Sequence, residues 1–159
     1  LTTYNSSNFI KDQIRSILNQ EDVDPYIYIS DDKSTDNTIE IIEDFCPQES
    51  YELVPNEFKF GKPGLNFFNL IERVEAKSFD FYCFADHDDI WLPTKLIEGT
   101  NKLKKSGYRG YSSAFHIFDG YSEPKELQAS IPNKNCLIIS FHPQDLDVLL
   151  YLIRLDTLY

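Results

Sequence analysis

The sequence contains no methionine, one tryptophan and three cysteines. Without methionine as a gap-filler, the core is expected to be built from Ile and Leu together with the abundant Phe and Tyr. Cys46, Cys83 and Cys136 lie far apart and form neither a C-x-x-C pair nor a zinc-ligand spacing, which excludes a structural zinc site. Cys83 falls in an apolar run and reads as core. Free, partly buried thiols favour a reducing compartment, so a cytoplasmic location is expected, extending to the inner membrane surface. Basic residues are scarce: 15 Lys and Arg stand against 26 Asp and Glu, for a net charge of −11. A surface of that sign repels phosphate backbones, and no nucleic-acid partner is expected. No apolar run approaches the ~20 residues that span a bilayer, and no signal-peptide pattern is visible. No transmembrane segment is expected.

What is present is the composition of one globular domain: 159 residues, 42% hydrophobic and 26% charged. Leu1 to Asn5 reads as the end of a strand entering a loop, so a chain cut at its N-terminus is expected. From Asn8 to Gln20, the apolar residues Phe9, Ile10, Ile14, Ile17 and Leu18 fall at helical spacing, with Ser7 or Asn8 as the cap. Pro25 to Ser30 reads as a strand, and Asp31 to Asn37 as a polar loop. Thr38 to Phe45 repeats the helical pattern until Pro47. Glu52 to Val54 is a weak strand, and Asn56 to Gly64 a loop. Leu65 to Ala76 is predicted helical from the spacing of Leu65, Phe68, Ile71 and Glu72. Phe79 to Ala85 is a nearly continuous apolar strand, as expected in a covered sheet. Pro93 to Lys105 forms another amphipathic helix, with Pro93 in its first turn. Beyond Gly107, Tyr108 to Phe118 reads as a strand or strand pair, Glu123 to Asn135 as loop, and Leu146 to Leu158 as a helix or a strand.

Strands alternating with helices imply an α/β fold: a Rossmann-like, mainly parallel sheet flanked by helices. Ligands bind such sheets beyond the C-terminal strand ends. Two acidic groups fall there, Asp31-Asp32 and Asp86-His87-Asp88-Asp89. Carboxylates two residues apart just past a strand can share one hard cation, Mg²⁺ or Mn²⁺, whose shell is completed by water and substrate phosphates. A carboxylate at Asp32, aimed into the cleft, can accept hydrogen bonds from a base N–H or a ribose hydroxyl. Asp36 to Thr38 are read as turn and helix cap. Tyr4 can stack on a base, and Asn5 can brace its loop. Trp91 is expected to pack under the acidic loop and fix its geometry.

Together, Thr3-Tyr4-Asn5, the helix FIKDQIRSILNQ, YIYISDD with KSTDNT, NEFKFGKPGLNFFNLI and FYCFADHDDIWLPTKL resemble glycosyltransferase family 2. The string Asp86-x-Asp88-Asp89-Ile90-Trp91-x-Pro93-x-Lys95 is the most specific part. The likeness is strongest to bacterial rhamnosyltransferase-type members that build cell-surface polysaccharides. It implies a GT-A fold, incomplete here at both ends, and single-displacement transfer with inversion. The donor implied is a UDP- or dTDP-linked sugar, and the acceptor a glycan or lipid-linked glycan. By the same resemblance, Thr2 and Tyr4 touch the base, Asp32 hydrogen-bonds it, Asp86 approaches the ribose, and Asp88 holds the metal bridging the diphosphate. Asn56 and Gly61 fall in a loop near the nucleotide.

The resemblance divides the chain into a nucleotide-sugar-binding core, residues 1–118, and a poorly matched tail, 119–159, that begins or replaces the acceptor-binding part. The family's general base lies far downstream of Asp-x-Asp. No residue here takes that role, and Asp119, His142, Asp145 and Asp147 sit in no recognisable motif. Nucleotide and metal binding with little or no sugar transfer is therefore expected of these residues alone. The alternatives are a non-catalytic nucleotide-binding fragment of the same fold and, more remotely, a response-regulator receiver domain. A haloacid-dehalogenase-type phosphohydrolase fits poorly, because its Asp-x-Asp opens the domain and runs on to a Thr.

Overall fold

The computed structural model describes residues 1–74, 79–108, 110–113, 115–117, 125–127 and 152–153. Three short strands form a parallel sheet: β1 (Thr2–Thr3), β2 (Ile27–Asp31) and β3 (Tyr51–Leu53), with β2 in the middle. Thr2 pairs with Ser30 and Thr3 with Asp31, while Ile27 to Ile29 pair with Tyr51 to Leu53. On the other side of β1, the Thr2 N–H donates to the Ala85 carbonyl at 3.3 Å. That bond places the end of β4 (Tyr82–Cys83) beside β1. Further on, β5 (Gly110–Tyr111) and β8 (Leu152–Ile153) continue antiparallel to each other, with β8 also pairing β4, and β6 (Phe115–Ile117) pairs antiparallel with β7 (Lys125–Leu127).

The helices are α1 (Ile10–Leu18), α2 (Thr38–Phe45), α3 (Pro63–Arg73) and α4 (Lys95–Ser106). α1 and α2 pack on each other, and α3 packs on β1 and β2. The core joins Ile10, Ile14 and Ile17 of α1 to Ile27 and Ile29 of β2, Ile42 of α2, and Ala85, Trp91, Leu96 and Leu103. Ile and Leu dominate it as expected, but the Phe and Tyr that the composition also assigned to it stay at its margin: Phe45, Tyr51, Phe81 and Tyr111 are partly buried against it, and Trp91 is the one aromatic ring among its described buried members. α4 ends at Gly107, whose φ of 70° gives the left-handed turn that glycine adopts without a Cβ penalty.

Several boundaries differ from the sequence reading. α1 starts at Ile10, and Phe9 is exposed rather than part of the buried stripe. β4 covers only Tyr82–Cys83 of the expected run from Phe79 to Ala85. Pro93 precedes the N-cap Thr94 instead of lying in the first turn of α4. Two strands fall within 108–118, but β5 pairs with β8 and β6 with β7 rather than with each other, and Lys125–Leu127 is strand where loop was expected. Leu152–Ile153 is strand, one of the two options for that segment.

The most instructive difference is α3. It begins at Pro63, so it takes in Pro63 and Gly64 from the expected loop. The apolar row used to recognise it faces outward: Leu65, Phe68 and Ile71 are 41%, 36% and 47% exposed. Its buried side is Gly64, Asn66 and Leu70. The reason is a polar network under the helix. Asn66 Nδ2 donates to the Ser30 carbonyl at 2.9 Å, and Ser30 Oγ lies 2.6 Å from Asn66 Oδ1. Asn56 Nδ2 donates to Asn66 Oδ1 at 3.1 Å and to the Asp31 carbonyl at 2.8 Å. Asn69 Nδ2 donates to Asn56 Oδ1 at 2.7 Å. A buried polar group left without its partner costs about 1–3 kcal/mol, so the network outweighs the apolar row in setting how α3 turns. Asn66→Ala removes partners from both Ser30 and Asn56. The expected loss is about 2 kcal/mol or more in urea unfolding, with the far-ultraviolet dichroism of the folded state unchanged.

Candidate nucleotide-sugar site

Because β1, β2 and β3 run parallel, their chains leave the sheet at one edge: Tyr4-Asn5 after β1, Asp32 to Asn37 after β2, and Val54 to Asn56 after β3. The Asp32 N–H donates to the Thr3 carbonyl at 2.8 Å, which keeps the first two exits together. The Thr2–Ala85 bond brings the acidic loop, residues 86–89, to the same edge. The structure thus gathers Tyr4, Asp32, Asp86 and Asp88 at one end of the sheet.

The two loops after β1 and β2 are laced together by short polar side chains. Asp31 accepts from Thr3 Oγ1 at 2.8 Å and from the Ser34 N–H at 2.8 Å. Asn5, at φ 47°, donates its N–H to Ser34 Oγ and accepts the Thr35 N–H on Oδ1, both at 2.8 Å. It braces the loop as its position suggested. The Ser6 N–H donates to Thr38 Oγ1 at 2.7 Å. Asp36 accepts from the Thr38 N–H and the Ser7 N–H, each at 3.1 Å, and from Thr38 Oγ1.

Thr2 is buried within β1, where its N–H is spent on Ala85. Tyr4 is 38% exposed, and Lys59 Nζ sits 3.8 Å from its ring centroid. Asp32 is only 5% exposed. One carboxylate oxygen accepts the Phe60 N–H, and the other accepts the Gly61 N–H at 2.7 Å. Gly61 has φ 70°, a conformation that glycine tolerates and that turns its N–H toward Asp32. Asp32 therefore clamps the loop from Asn56 to Lys62 over the strand ends. Sequence reasoning missed this role, since its partners are backbone amides that carry no sequence signature. Asn66 and Asn69 were missed for a related reason, lying in a segment read only for its apolar spacing.

In the acidic loop Asp88 is exposed, while Asp86 and Asp89 are partly buried. Burial, then the Asp89 and Asp88 carboxylates, push Asp86 up to about 6. Burial and Asp88 also raise Asp89. Asp89 Oδ2 finds no hydrogen-bond partner among the described residues. Lys95 is the nearby cation. Burial lowers its pKa against the pull of Asp89, and Nζ donates to Ser113 Oγ at 2.9 Å and lies 5.3 Å from the Trp91 ring centroid. Trp91 is 5% exposed and shares the core with Ala85, so a rigid wall stands directly beside the loop. Among the described residues, no three His, Cys, Asp or Glu side chains form a metal-binding group. Crowded, hard carboxylate oxygens still suit a divalent cation that takes one or two protein ligands and completes its shell elsewhere. Burial drives the thiols of Cys46 and Cys83 up to about 11 and about 12, which makes both poor nucleophiles. Asp119, His142, Asp145 and Asp147 lie outside the described residues.

The family model for Glycosyl transferase family 2 matches residues 1–148. The chain belongs to glycosyl transferase family 2. The receiver-domain alternative falls with that assignment. Among its family relatives, this chain is 43% identical over 117 residues to the dTDP-rhamnosyl transferase RfbG of Shigella flexneri, covering 71% of this chain and 40% of that protein. It is 31% identical over 142 residues to the UDP-Glc:α-D-GlcNAc-diphosphoundecaprenol β-1,3-glucosyltransferase WfgD of Escherichia coli, covering 86% of this chain and 54% of that one. The chain thus spans about half, or less, of the length of these relatives. Residues 1–349 of Staphylococcus aureus TarS, in a crystal structure with UDP-GlcNAc, superpose with a TM-score of 0.60 at 23% identity, over 78% of this chain and 35% of that one. That likeness shows the GT-A fold. Among the described residues, no helix is long and apolar enough to cross a membrane.

The family site rests on the lacing of its loops, and Asp36 makes that lacing sensitive to acid. Burial acts to raise its pKa, but hydrogen bonds from Thr38 and Ser7 together win and hold it down to about 2. A depressed carboxylate stabilises the fold above its ordinary pKa, and that contribution is lost as pH falls through the folded value. Asp36→Ala is therefore expected to be less stable than the parent at pH 7. The gap should close between about pH 4 and pH 2 in denaturant titrations. Asp36 is exposed, so the effect is small.

Proposed function

We propose that this chain is the nucleotide-sugar-binding part of an inverting glycosyltransferase that uses a UDP- or dTDP-linked donor and a divalent cation. The observation that carries the reading is the gathering of Tyr4, Asp32 and the 86–89 loop at one sheet edge in a family 2 chain. Similarity to a dTDP-rhamnosyl transferase and a UDP-Glc glucosyltransferase supports a nucleoside-diphosphate sugar as the donor class. The GlcNAc-diphosphoundecaprenol named for WfgD supports a glycan or lipid-linked acceptor.

In this reading the partly exposed Tyr4 ring stacks on the base, while buried Thr2 anchors the strand that leads to it. Asp32 uses two acceptor sites on Phe60 and Gly61. A carboxylate has about four, so it retains capacity for a base N–H. Asp86 faces the ribose. Asp88 would hold Mg²⁺ or Mn²⁺, and such a cation would neutralise charge on the departing diphosphate. Transfer also needs a base that takes the acceptor hydroxyl proton while the hydroxyl attacks the anomeric carbon from the face opposite the diphosphate. No residue described here is assigned to that step.

Calorimetry with UDP and dTDP, in Mn²⁺ and in EDTA, tests the assignment. Asp88→Asn should lose the metal-dependent part of binding while the fold stays intact, because an exposed loop carboxylate adds little to the core. Unchanged metal-dependent affinity in that variant would overturn the role of Asp88. Tyr4→Ala should weaken binding about tenfold in both buffers, since base–aromatic stacking is worth about 1–3 kcal/mol and needs no metal.

A further inference from the structure

We infer that Ser16 of α1 and Gln20, two residues past its end, are positioning residues for the acidic loop. The inference rests on the proposed reading that this loop takes the cation and diphosphate. The loop hangs between two anchors. At one end, Ala85 is tied to β1 through its carbonyl. At the other, the chain from Trp91 to Leu96 is pinned to the C-terminal end of α1. The Trp91 N–H donates to Ser16 Oγ at 3.0 Å. Ser16 spends its own hydroxyl hydrogen on the Gln13 carbonyl at 2.8 Å, so its oxygen is left to accept. Gln20 Nε2 donates to the Leu92 carbonyl at 2.8 Å and to the Ser16 carbonyl at 3.0 Å. Gln20 Oε1 accepts the Leu96 N–H at 2.9 Å. Just beyond, the Glu21 N–H donates to the Pro93 carbonyl at 2.9 Å.

The orientation of the Gln20 amide follows from these partners. Turned over, it would set its oxygen against two carbonyls and its NH₂ against an N–H. Gln20 is buried, and its carbonyl contact also satisfies the first turn of α4, where Thr94 makes no side-chain cap to the backbone. The two residues stand four positions apart, one in the last turn of α1 and one just past it, and hold residues 91, 92 and 96. Asp88 and Asp89 lie in the short span that those contacts and Ala85 delimit. A cation ligand needs its oxygen fixed to a few tenths of an ångström. Outer partners that orient such ligands typically change metal affinity 10–100-fold when removed.

Three variants separate positioning from plain stability. Gln20→Glu keeps the acceptor for Leu96 but sets a carboxylate against the Leu92 carbonyl. Ser16→Ala removes only the acceptor for Trp91. Gln20→Ala removes all the Gln20 contacts. Each is compared with the parent well below its unfolding midpoint, by calorimetry with UDP and dTDP in Mn²⁺ and in EDTA. Amide hydrogen exchange is followed alongside. The expected result is metal-dependent affinity lowered about tenfold in Ser16→Ala and Gln20→Glu, with metal-free binding unchanged. Exchange should quicken in residues 86–92 and stay constant in β2. A folded variant with a lower midpoint but parental metal-dependent affinity overturns the inference. If the parent itself shows no metal-dependent binding, the proposed function fails. Exchange then decides alone, and unaltered protection at 86–92 refutes the brace.

Discussion

The pairing of Thr2 with Ser30 and of Thr3 with Asp31 decides where each loop of the site leaves the sheet. Parallel strands discharge their following loops on one side, so a one-residue slip would carry Asp32 and Tyr4 to opposite faces. The register is held by side chains as well as by the ladder. Thr3 Oγ1 reaches Asp31, and Ser30 is tied from below by Asn66. With β1 fixed against β2, the Thr2–Ala85 bond then sets where the acidic loop begins.

The middle of the molecule is divided by chemistry. On the α1 and α2 side of the sheet, Ile10, Ile14, Ile29 and Ile42 form an apolar core that needs no directional contacts. On the α3 side, Ser30, Asn56, Asn66 and Asn69 form a directional one. Apolar packing tolerates small shifts, whereas hydrogen bonds fix distance and angle together. The directional half lies under the loop that Asp32 clamps, where the position of Phe60 and Gly61 matters most.

Much of this was legible in the sequence, and the failures have physical causes. The alternation of apolar strands with amphipathic helices carried the fold, because burial of Ile27, Ile29, Ile10 and Ile14 follows from hydrophobicity alone. The acidic pairs were legible because they follow strands, and strand ends are where such sheets present loops. α3 was legible as a helix but not in its orientation. The rule that apolar rows face inward fails where buried asparagines have stronger claims on the interior. Gln20 and Ser16 fell inside the helical segment read from Asn8 to Gln20 but outside its apolar stripe, with no role assigned. Their partners lie more than 70 positions away, at backbone groups common to every residue type. Asp32 was singled out for its charge, while its contacts with Phe60 and Gly61 depend on a turn that Gly61 permits.

Lys59 Nζ rests 3.8 Å from the centroid of the Tyr4 ring. An ammonium over an exposed ring is worth about 0.5–1 kcal/mol. It also covers an aromatic face that would otherwise be free to adhere to any passing apolar surface. The contact thus shields a ring that stands 38% exposed just past β1, where nothing else in the described core could bury it.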